Sequence, residues 1–497
     1  MKSERICIPM SFMRFQIHDL RFHVLPMRTR FPFRYGIASM SALPHLLVRV
    51  EMSVNGKTVQ GTASEGLPPK WFTKDPHTYF EQDLAEMLAV IQNASRLARL
   101  ASATPVTFFA WWQTLYQEQA RWAGVKQVPS LLANLGVSLM ERAVLDALTK
   151  AAGTYLHSLL GSESLGIHLG EIHEELHGLS VAQVLAPKPL PQINVRHTVG
   201  LGDPLFAQDI PEDEQLHDGL PHALDESIRA YGLRYFKIKV CGQPETDLQR
   251  LREITTVLTR ECHSGFHATL DGNEQFLDLA SFRDFYETLR AEAALAPLFQ
   301  NLLLIEQPLH RTHALKEDVA PALAAWQDGP GLIIDESDSA LTDLPRALAL
   351  GYIGTSHKNC KGIVKGLANA ALLKVRGATS SRPLILSGED LANVGPVALL
   401  QDLAMMAALG VTHVERNGHH YFKGLSMHPE AVQSAALQHH GDLYRQHESG
   451  FPTLNIRQGL LDLQSVNAAP FGCAFELDLE SYEPLNTWIK RGGMTEL

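Results

Sequence analysis

Tyr235-Phe236-Lys237-Ile238-Lys239-Val240, a helical pattern over 247–260, and His267-Ala268-Thr269-Leu270 leading into Asp271 make up the passage on which the reading of this chain turns. Side chains alternate across a strand, so Lys237 and Lys239 share one face of the first run and Phe236, Ile238 and Val240 the other. Ammonium groups on an otherwise apolar strand are costly to bury alone. That face is therefore expected to meet carboxylates, a metal-bound anion or solvent. Strand, helix and strand in this order predict a parallel β-α-β unit.

The pattern repeats on both sides of this passage. Apolar runs recur at 193–199, 302–305, 332–334, 352–354, 384–386 and 411–414, with helical patterns such as 279–294 and 362–376 between most of them. Eight strands alternating with helices predict an α/β chain with a (β/α)8 (TIM-like) barrel, whose active site lies at the C-terminal strand ends. Asp271, Glu306 and Asp335 each stand at the end of an apolar run, and Lys358 follows the sixth.

Three acids converging there, with no local cysteine or histidine set, suit a hard cation with oxygen ligands: Mg2+ first, Mn2+ second. A lysine becomes a general base when burial and neighbouring cations bring its pKa towards neutrality. Lys239 and Lys358, from the second and sixth strands, would face each other across the barrel mouth. One could take an α-proton and the other return it. The metal would hold the substrate carboxylate and stabilise the enediolate left behind.

Upstream, 14–60 is strand-like, with Phe22-His23-Val24-Leu25 and 46–52 flanking an Asn55-Gly56 hairpin signal on one side. Helical spacing follows over 78–123 and again, as one long pattern, over 130–160. The expected organisation is an α+β capping domain over 1–128, a barrel over 129–420 with insertions near 161–191 and 203–222, and a C-terminal segment, 421–497, returning to the cap. A strand-like run, Cys473-Ala474-Phe475-Glu476-Leu477, lies near the end of that segment.

A net charge of −11 over 497 residues argues against nucleic acid or an anionic membrane as the main partner, without excluding a small anionic substrate. Cys7, Cys241, Cys262, Cys360 and Cys473 form no CxxC pair and read as reduced thiols of a cytoplasmic protein. The 1–15 segment lacks the apolar core of a secretion signal, and the apolar 394–411 stretch is broken by Gln401 and Asp402.

Lys237-Ile238-Lys239, Asp271-Gly272-Asn273, Ile305-Glu306-Gln307-Pro308, Asp335-Glu336-Ser337 and Lys358 together resemble the enolase superfamily, in its mandelate racemase/muconate-lactonizing-enzyme branch. Phe31-Pro32-Phe33-Arg34-Tyr35-Gly36 looks like that family's lid, and Leu145-Asp146-Ala147 through Leu159-Leu160-Gly161 like the helix leading into its barrel. The resemblance implies Asp271, Glu306 and Asp335 as Mg2+ ligands, Lys239 and Lys358 as the acid/base pair, and Lys237 against the substrate carboxylate. It implies an isomerase or lyase acting on a small-molecule carboxylate by epimerisation, cycloisomerisation or β-elimination, and a homo-oligomer. Glu389, Arg34 and, on the eighth strand, Glu415 and Asn417 are the further expected substrate-binding residues. Glu415-Arg416-Asn417 stands where dipeptide epimerases carry Asp-x-Asp, which weakens a dipeptide reading. Glu336, on the opposite side of its strand from Asp335, takes no ligand role.

Two other readings compete. His173-Glu174-Glu175-Leu176-His177 matches H-E-x-x-H, which on a helix would offer two histidines to zinc and a glutamate base to a hydrolase. Gly178 follows at once and the apolar face is thin, so surface-loop histidines are the better expectation. The other is a non-catalytic barrel that binds a partner through its inserted loops.

Overall fold

The computed structural model describes residues 12–326 and 328–496, so Cys7 and most of the 1–15 segment lie outside the described residues. Three long antiparallel strands come first: β1 (Arg14–Tyr35), β2 (Ala38–Val54) and β3 (Lys57–Gly66). The β2–β3 turn closes Val54 on Lys57, and Asn55 and Gly56 take φ of 48° and 83°, the left-handed pair that a two-residue hairpin of this twist requires. A short β4 (Val106–Thr107) pairs with β1. Helices α1 (Phe80–Ala101), α2 (Phe108–Lys126) and α3 (Ser130–Ala152) complete the cap and its junction with the barrel.

Helix α3 is buried on every face from Leu131 to Thr149, because it is packed between the cap sheet and the barrel. Its approach to β3 leaves no room for a side chain at Gly61, where a Cβ would sit 2.1 Å from the Ala143 carbonyl. The helix stops at Gly153, a left-handed cap with φ of 60°, so the pattern over 130–160 is two helices and not one.

The barrel strands are β5 (Gln192–Val199), β6 (Tyr235–Lys239), β7 (His267–Asp271), β8 (Leu302–Glu306), β9 (Leu332–Ile334), β10 (Gly354–His357), β11 (Ile385–Gly388) and β12 (His413–Arg416). Neighbours pair in parallel in chain order, and β12 closes onto β5. The expected capped (β/α)8 architecture is thus present.

The sixth and eighth strands start two residues later than their apolar runs. Tyr352 N–H bonds back to Ala347 O at 3.1 Å, just past left-handed Gly351, and Val411 N–H to Met406 O at 3.0 Å, just past left-handed Gly410. Those apolar residues finish the helix cap before the strand begins.

The tail forms a hairpin, β13 (Tyr444–Gln446) with β14 (Pro452–Leu454). It then sets β15 (Leu460–Asp462) antiparallel beside the start of β5 and pairs β16 (Glu483–Pro484) with β1. The expected strand over 473–477 is irregular chain. Cys473 and Leu477 are buried one by one, so the alternation there reflects one-sided packing without a ladder. The 161–191 and 203–222 segments are short 3-10 turns with one four-residue helix, Val181–Val184. No helix among the described residues is long and apolar enough to cross a membrane.

Candidate active site

Barrel register builds the site. Lys239 of β6 pairs with Asp271 of β7, and Asp271 with Glu306 of β8, so the three side chains lie in one row at the C-terminal strand ends. Asp335, Lys358 and Glu389 each follow the last residue of β9, β10 and β11, and Glu415 lies in β12. All of these side chains are buried. Alternation along β6 sends Lys237 inward as well, one layer deeper.

The lysines and acids neutralise one another closely. Lys237 Nζ lies 2.9 Å from Glu306 Oε1 and Glu389 Oε2, 3.0 Å from Glu415 Oε2 and 3.1 Å from Asp271 Oδ2. Lys239 Nζ is 2.5 Å from Asp271 Oδ2. On the other wall Lys358 Nζ donates at 2.7 Å to both Asp335 oxygens and to Glu389 Oε2. Burial works to lower Lys358, but Asp335 and Glu389 outweigh it and hold the ammonium well above its ordinary range. Asp335 goes the other way: Lys358 and Lys361 overcome the effect of burial and hold it well below the usual carboxylate range.

Glu306, Asp335 and Glu389 each offer an oxygen within 4.8 Å of the others, a spacing one cation could bridge. The expected set was Asp271, Glu306 and Asp335. Two of the three are in the group, Glu389 is its third member, and Asp271 is turned towards Lys237 and Lys239. Carboxylate oxygens alone suit a hard divalent ion such as magnesium. Burial, then Asp271 and Glu389, push Glu306 well above the usual carboxylate range, against the pull of Lys237. Its Oε2 makes no hydrogen bond, because Lys237 Nζ, although 2.7 Å away, lies off the bonding direction.

A cavity of about 40 Å³ opens on this cluster. Its lining combines Lys237, Lys239, Lys358, Asn273 and Asn417 with the apolar Phe33, Met40, Trp71 and Leu391. The Trp71 ring centre stands 5.2 Å from Lys358 Nζ. Small-molecule sites enclose several hundred Å³, and this cavity is much smaller.

Arg34, expected at the substrate, does not line this cavity. It is exposed, on the outer face of β1 beside Gly202, and strand alternation sends Phe33 and Tyr35 inward in its place. Glu415 and Asn417 do line it, with Glu415 held by Lys237 and by the Thr198 hydroxyl at 2.7 Å. Glu389 is a hub beneath the cavity, bound also by Arg196 Nη2 at 2.9 Å. Glu336 is buried, and burial with Asp335 and Glu274 pushes its carboxyl up to about 8.

Arg196 and Ser356 were not expected in the cluster; Lys361, a neighbour of Lys358 that could equally have been the lysine of that strand end, joins it as well. Lys361 Nζ bonds Asp335 Oδ1 at 2.9 Å. Arg196 shares one face of 194–198 with Asn194 and Thr198, a weaker form of the Lys237 signal because His197 lies on the other face, and Lys361 had no signal beyond nearness to Lys358. The H-E-x-x-H segment is not a helix: Glu174–Leu176 is one 3-10 turn, Glu175 pairs with Arg376 at 2.6 Å, and His177 is exposed. The two histidines thus lack the shared helical face a zinc site would need.

No family model matches the sequence, and no curated protein matches it. Solved structures do. A 2-chloromuconate cycloisomerase from Rhodococcus opacus 1CP aligns with a TM-score of 0.58 at 15% identity, over 94% of this chain and 99% of that one. A mandelate racemase/muconate lactonizing protein from Herpetosiphon aurantiacus aligns at 0.56 and 18%, over 91% and 97%. An enolase from Bradyrhizobium, complexed with magnesium and mandelic acid, aligns at 0.55 and 14%, over 95% and 99%. The chain therefore shares its capped-barrel fold with these solved structures, a mandelate racemase/muconate lactonizing protein among them.

Proposed function

We propose that this chain is an enzyme that abstracts the α-proton of a small carboxylate, as an epimerase, cycloisomerase or β-eliminating lyase. The observation that carries the reading is the convergence of Lys239 and Lys358 on one cavity, with buried acids between them. Asp271, Glu306 and Asp335 would hold magnesium, or manganese in its place, with Glu389 within reach of the same ion. Bound there, the ion would supply positive charge to the substrate carboxylate and draw the negative charge of the acids away from the lysines.

The chain's own residues do the rest. Lys239 and Lys358 stand on different strands of one wall-to-wall pocket, so one removes the proton at the α-carbon and the other delivers one from the far side. The lysine that removes the proton must be a free amine and the one that delivers a proton an ammonium. Lys358, held here as an ammonium by Asp335 and Glu389, is poised as the proton donor until those acids are engaged elsewhere. Lys237, deeper and bound by four acids, orients a substrate carboxylate and keeps the acid cluster together. Trp71 and the cap strands exclude water from the transfer. Structures sharing the fold are those of a cycloisomerase and of a dipeptide epimerase complexed with Mg and L-Leu-L-Tyr, which supports this class of chemistry.

The test is exchange of the α-proton with deuterated solvent across a panel of carboxylates. Lys239→Ala and Lys358→Ala should each reduce exchange by about 10²–10⁴-fold, with the fold intact by circular dichroism. Exchange at the wild-type rate in both variants would refute the assignment.

A further inference from the structure

We infer that Arg196 is a positioning residue for Lys358: it clamps the inner oxygen of Glu389, so that the outer oxygen is committed to holding the lysine. This rests on the proton-abstraction reading above and gives one of its two lysines a support that the other lacks.

Arg196 lies in β5 and is completely buried. Strand alternation puts it on the same face as Thr198, whose hydroxyl reaches Glu415 inside the barrel. Branched apolar side chains fill most of the interior of such barrels, and a guanidinium among them needs acceptors close by. Arg196 finds nearly all of them at the end of β11. Its Nη2 donates to Ser387 Oγ at 2.8 Å, to Glu389 Oε1 at 2.9 Å and to the Gly388 carbonyl at 3.0 Å. Its Nη1 lies 2.9 Å from His413 Nδ1. Ser387 Oγ donates in turn to Glu389 Oε1 at 2.8 Å. Three consecutive residues, 387 to 389, are thus gripped from behind by one side chain of β5.

The two oxygens of Glu389 therefore have separate duties. Oε1 is taken by Arg196 and Ser387, while Oε2 accepts from Lys358 at 2.7 Å and from Lys237 at 2.9 Å. Lys237 has three further acids within reach, Glu306, Glu415 and Asp271, so its place does not depend on Glu389. Lys358 has one other close acid, Asp335, which it shares with Lys361; Glu306 stands at 3.9 Å. If Asp335 turns to the ion, Glu389 is the acid that stays with Lys358, because Arg196 anchors its far oxygen. Supporting bonds of this kind are what keep a reacting group in its productive place.

The arrangement is one-sided. Lys239 is held by Asp271 at 2.5 Å, and no hydrogen bond among the described residues joins either of them to Glu389 or Arg196. Loss of the clamp therefore displaces one lysine and leaves the other where it is.

Arg196→Met removes the clamp, and Arg196→Lys keeps the charge without the planar fork. The first readout needs no substrate: a crystal structure of magnesium-loaded Arg196→Lys. Glu389 Oε2 should leave hydrogen-bonding distance of Lys358 Nζ, with Lys239 still on Asp271. Glu389 still bonded to Lys358 would overturn the inference. The second readout is deuterium exchange at the α-carbon of each separate stereoisomer of mandelate, N-acetyl-leucine and leucyl-tyrosine. Lys358→Ala identifies the isomer whose proton Lys358 handles. For that isomer Arg196→Met should lower kcat for exchange by at least about tenfold with KM unchanged, since a misplacement of about 1 Å can cost about 10²-fold. The isomer handled by Lys239 should lose far less. Added to Glu389→Gln, Arg196→Met should change the rate by less than about twofold, because the two residues act as one unit. Should Arg196→Met not fold, Arg196→Lys carries the same expectations. Equal losses for both isomers, or an additive double variant, would overturn the inference and leave proton abstraction standing. Exchange of none of the probes by wild type would overturn both.

Discussion

Glu274 and Arg311 form a two-point ion pair, Arg311 Nε to Oε1 at 2.7 Å and Nη2 to Oε2 at 2.8 Å, and the same guanidinium donates to the carbonyls of Trp71 at 3.0 Å and Phe72 at 2.9 Å. Glu274 lies three residues beyond Asp271, and Trp71 lies over Lys358. One side chain therefore ties the loop that closes the cavity to the strand end carrying an acid of the cluster. The planar fork of arginine makes four such bonds at once, which a lysine cannot do.

Arg311→Ala should release that loop and leave the buried Glu274 carboxylate with Lys74 Nζ, 3.5 Å away, in place of the two-point pair. Losing one partner of a buried pair costs about 3 kcal/mol, read as a lower urea midpoint. Faster amide exchange should appear over 67–78 but not in the barrel strands. Unchanged exchange in that loop would show that Arg311 does not hold it closed.

Magnesium binding separates the roles of the acids. Glu306→Gln and Asp335→Asn should each weaken binding by at least about 10²-fold, measured by calorimetry, since both belong to the expected set and to the observed group. Asp271→Asn should weaken it comparably if lysines release Asp271 to the ion, and Glu389→Gln less, because Arg196 keeps Glu389 paired. The converse order would make Glu389 the third ligand. Stripping metal with a chelator should lower thermal stability, by about 2.7 kcal/mol relative to protein held at one hundred times its Kd.

Much of this site can be read from sequence because its parts are local. Lys237 and Lys239 needed only the period of a strand, and Asp271, Glu306 and Asp335 only their places at the ends of apolar runs. What could not be read depends on distant packing. Alternation in 31–36 says that Arg34 faces away from Phe33 and Tyr35, but not which face meets the barrel. The role of Glu389 as a hub depends on Arg196, Lys237 and Lys358, from three other strands. H-E-x-x-H predicts a metal site only on a helix, and that segment makes a single 3-10 turn.

Two glycines separate steric from conformational demand. At Gly61 the backbone would accept alanine, but a Cβ would meet the Ala143 carbonyl at 2.1 Å and the Ala147 nitrogen at 2.6 Å. Gly61→Ala should therefore cost about 3 kcal/mol by forcing α3 off β3. At Gly56 nothing lies within 4 Å, yet φ is +83°, so Gly56→Ala should cost only about 1 kcal/mol. Chemical denaturation of the two variants gives the comparison, and equal losses would contradict the tight α3–β3 packing.

Glu141 of α3 accepts hydrogen bonds from the backbone N–H groups of Ile363 at 2.8 Å and Val364 at 2.7 Å, at the start of the helix that follows Lys358 and Lys361. Burial raises this carboxyl to about 7, against the pull of those two bonds. Its folded pKa thus lies above the unfolded value near 4.5. The folded protein binds the proton more tightly, so this group's contribution to stability is full below about pH 4.5 and is lost as pH rises through about 7. The slope in that window is at most about 1.4 kcal/mol per pH unit. Glu141→Gln cannot titrate and should lose this slope while keeping one acceptor for the helix end. The difference between wild-type and variant unfolding free energies should therefore shift in the variant's favour between pH 5 and pH 7. A difference that stays constant across that range would mean Glu141 remains charged throughout, stabilised by the helix end more strongly than burial opposes it.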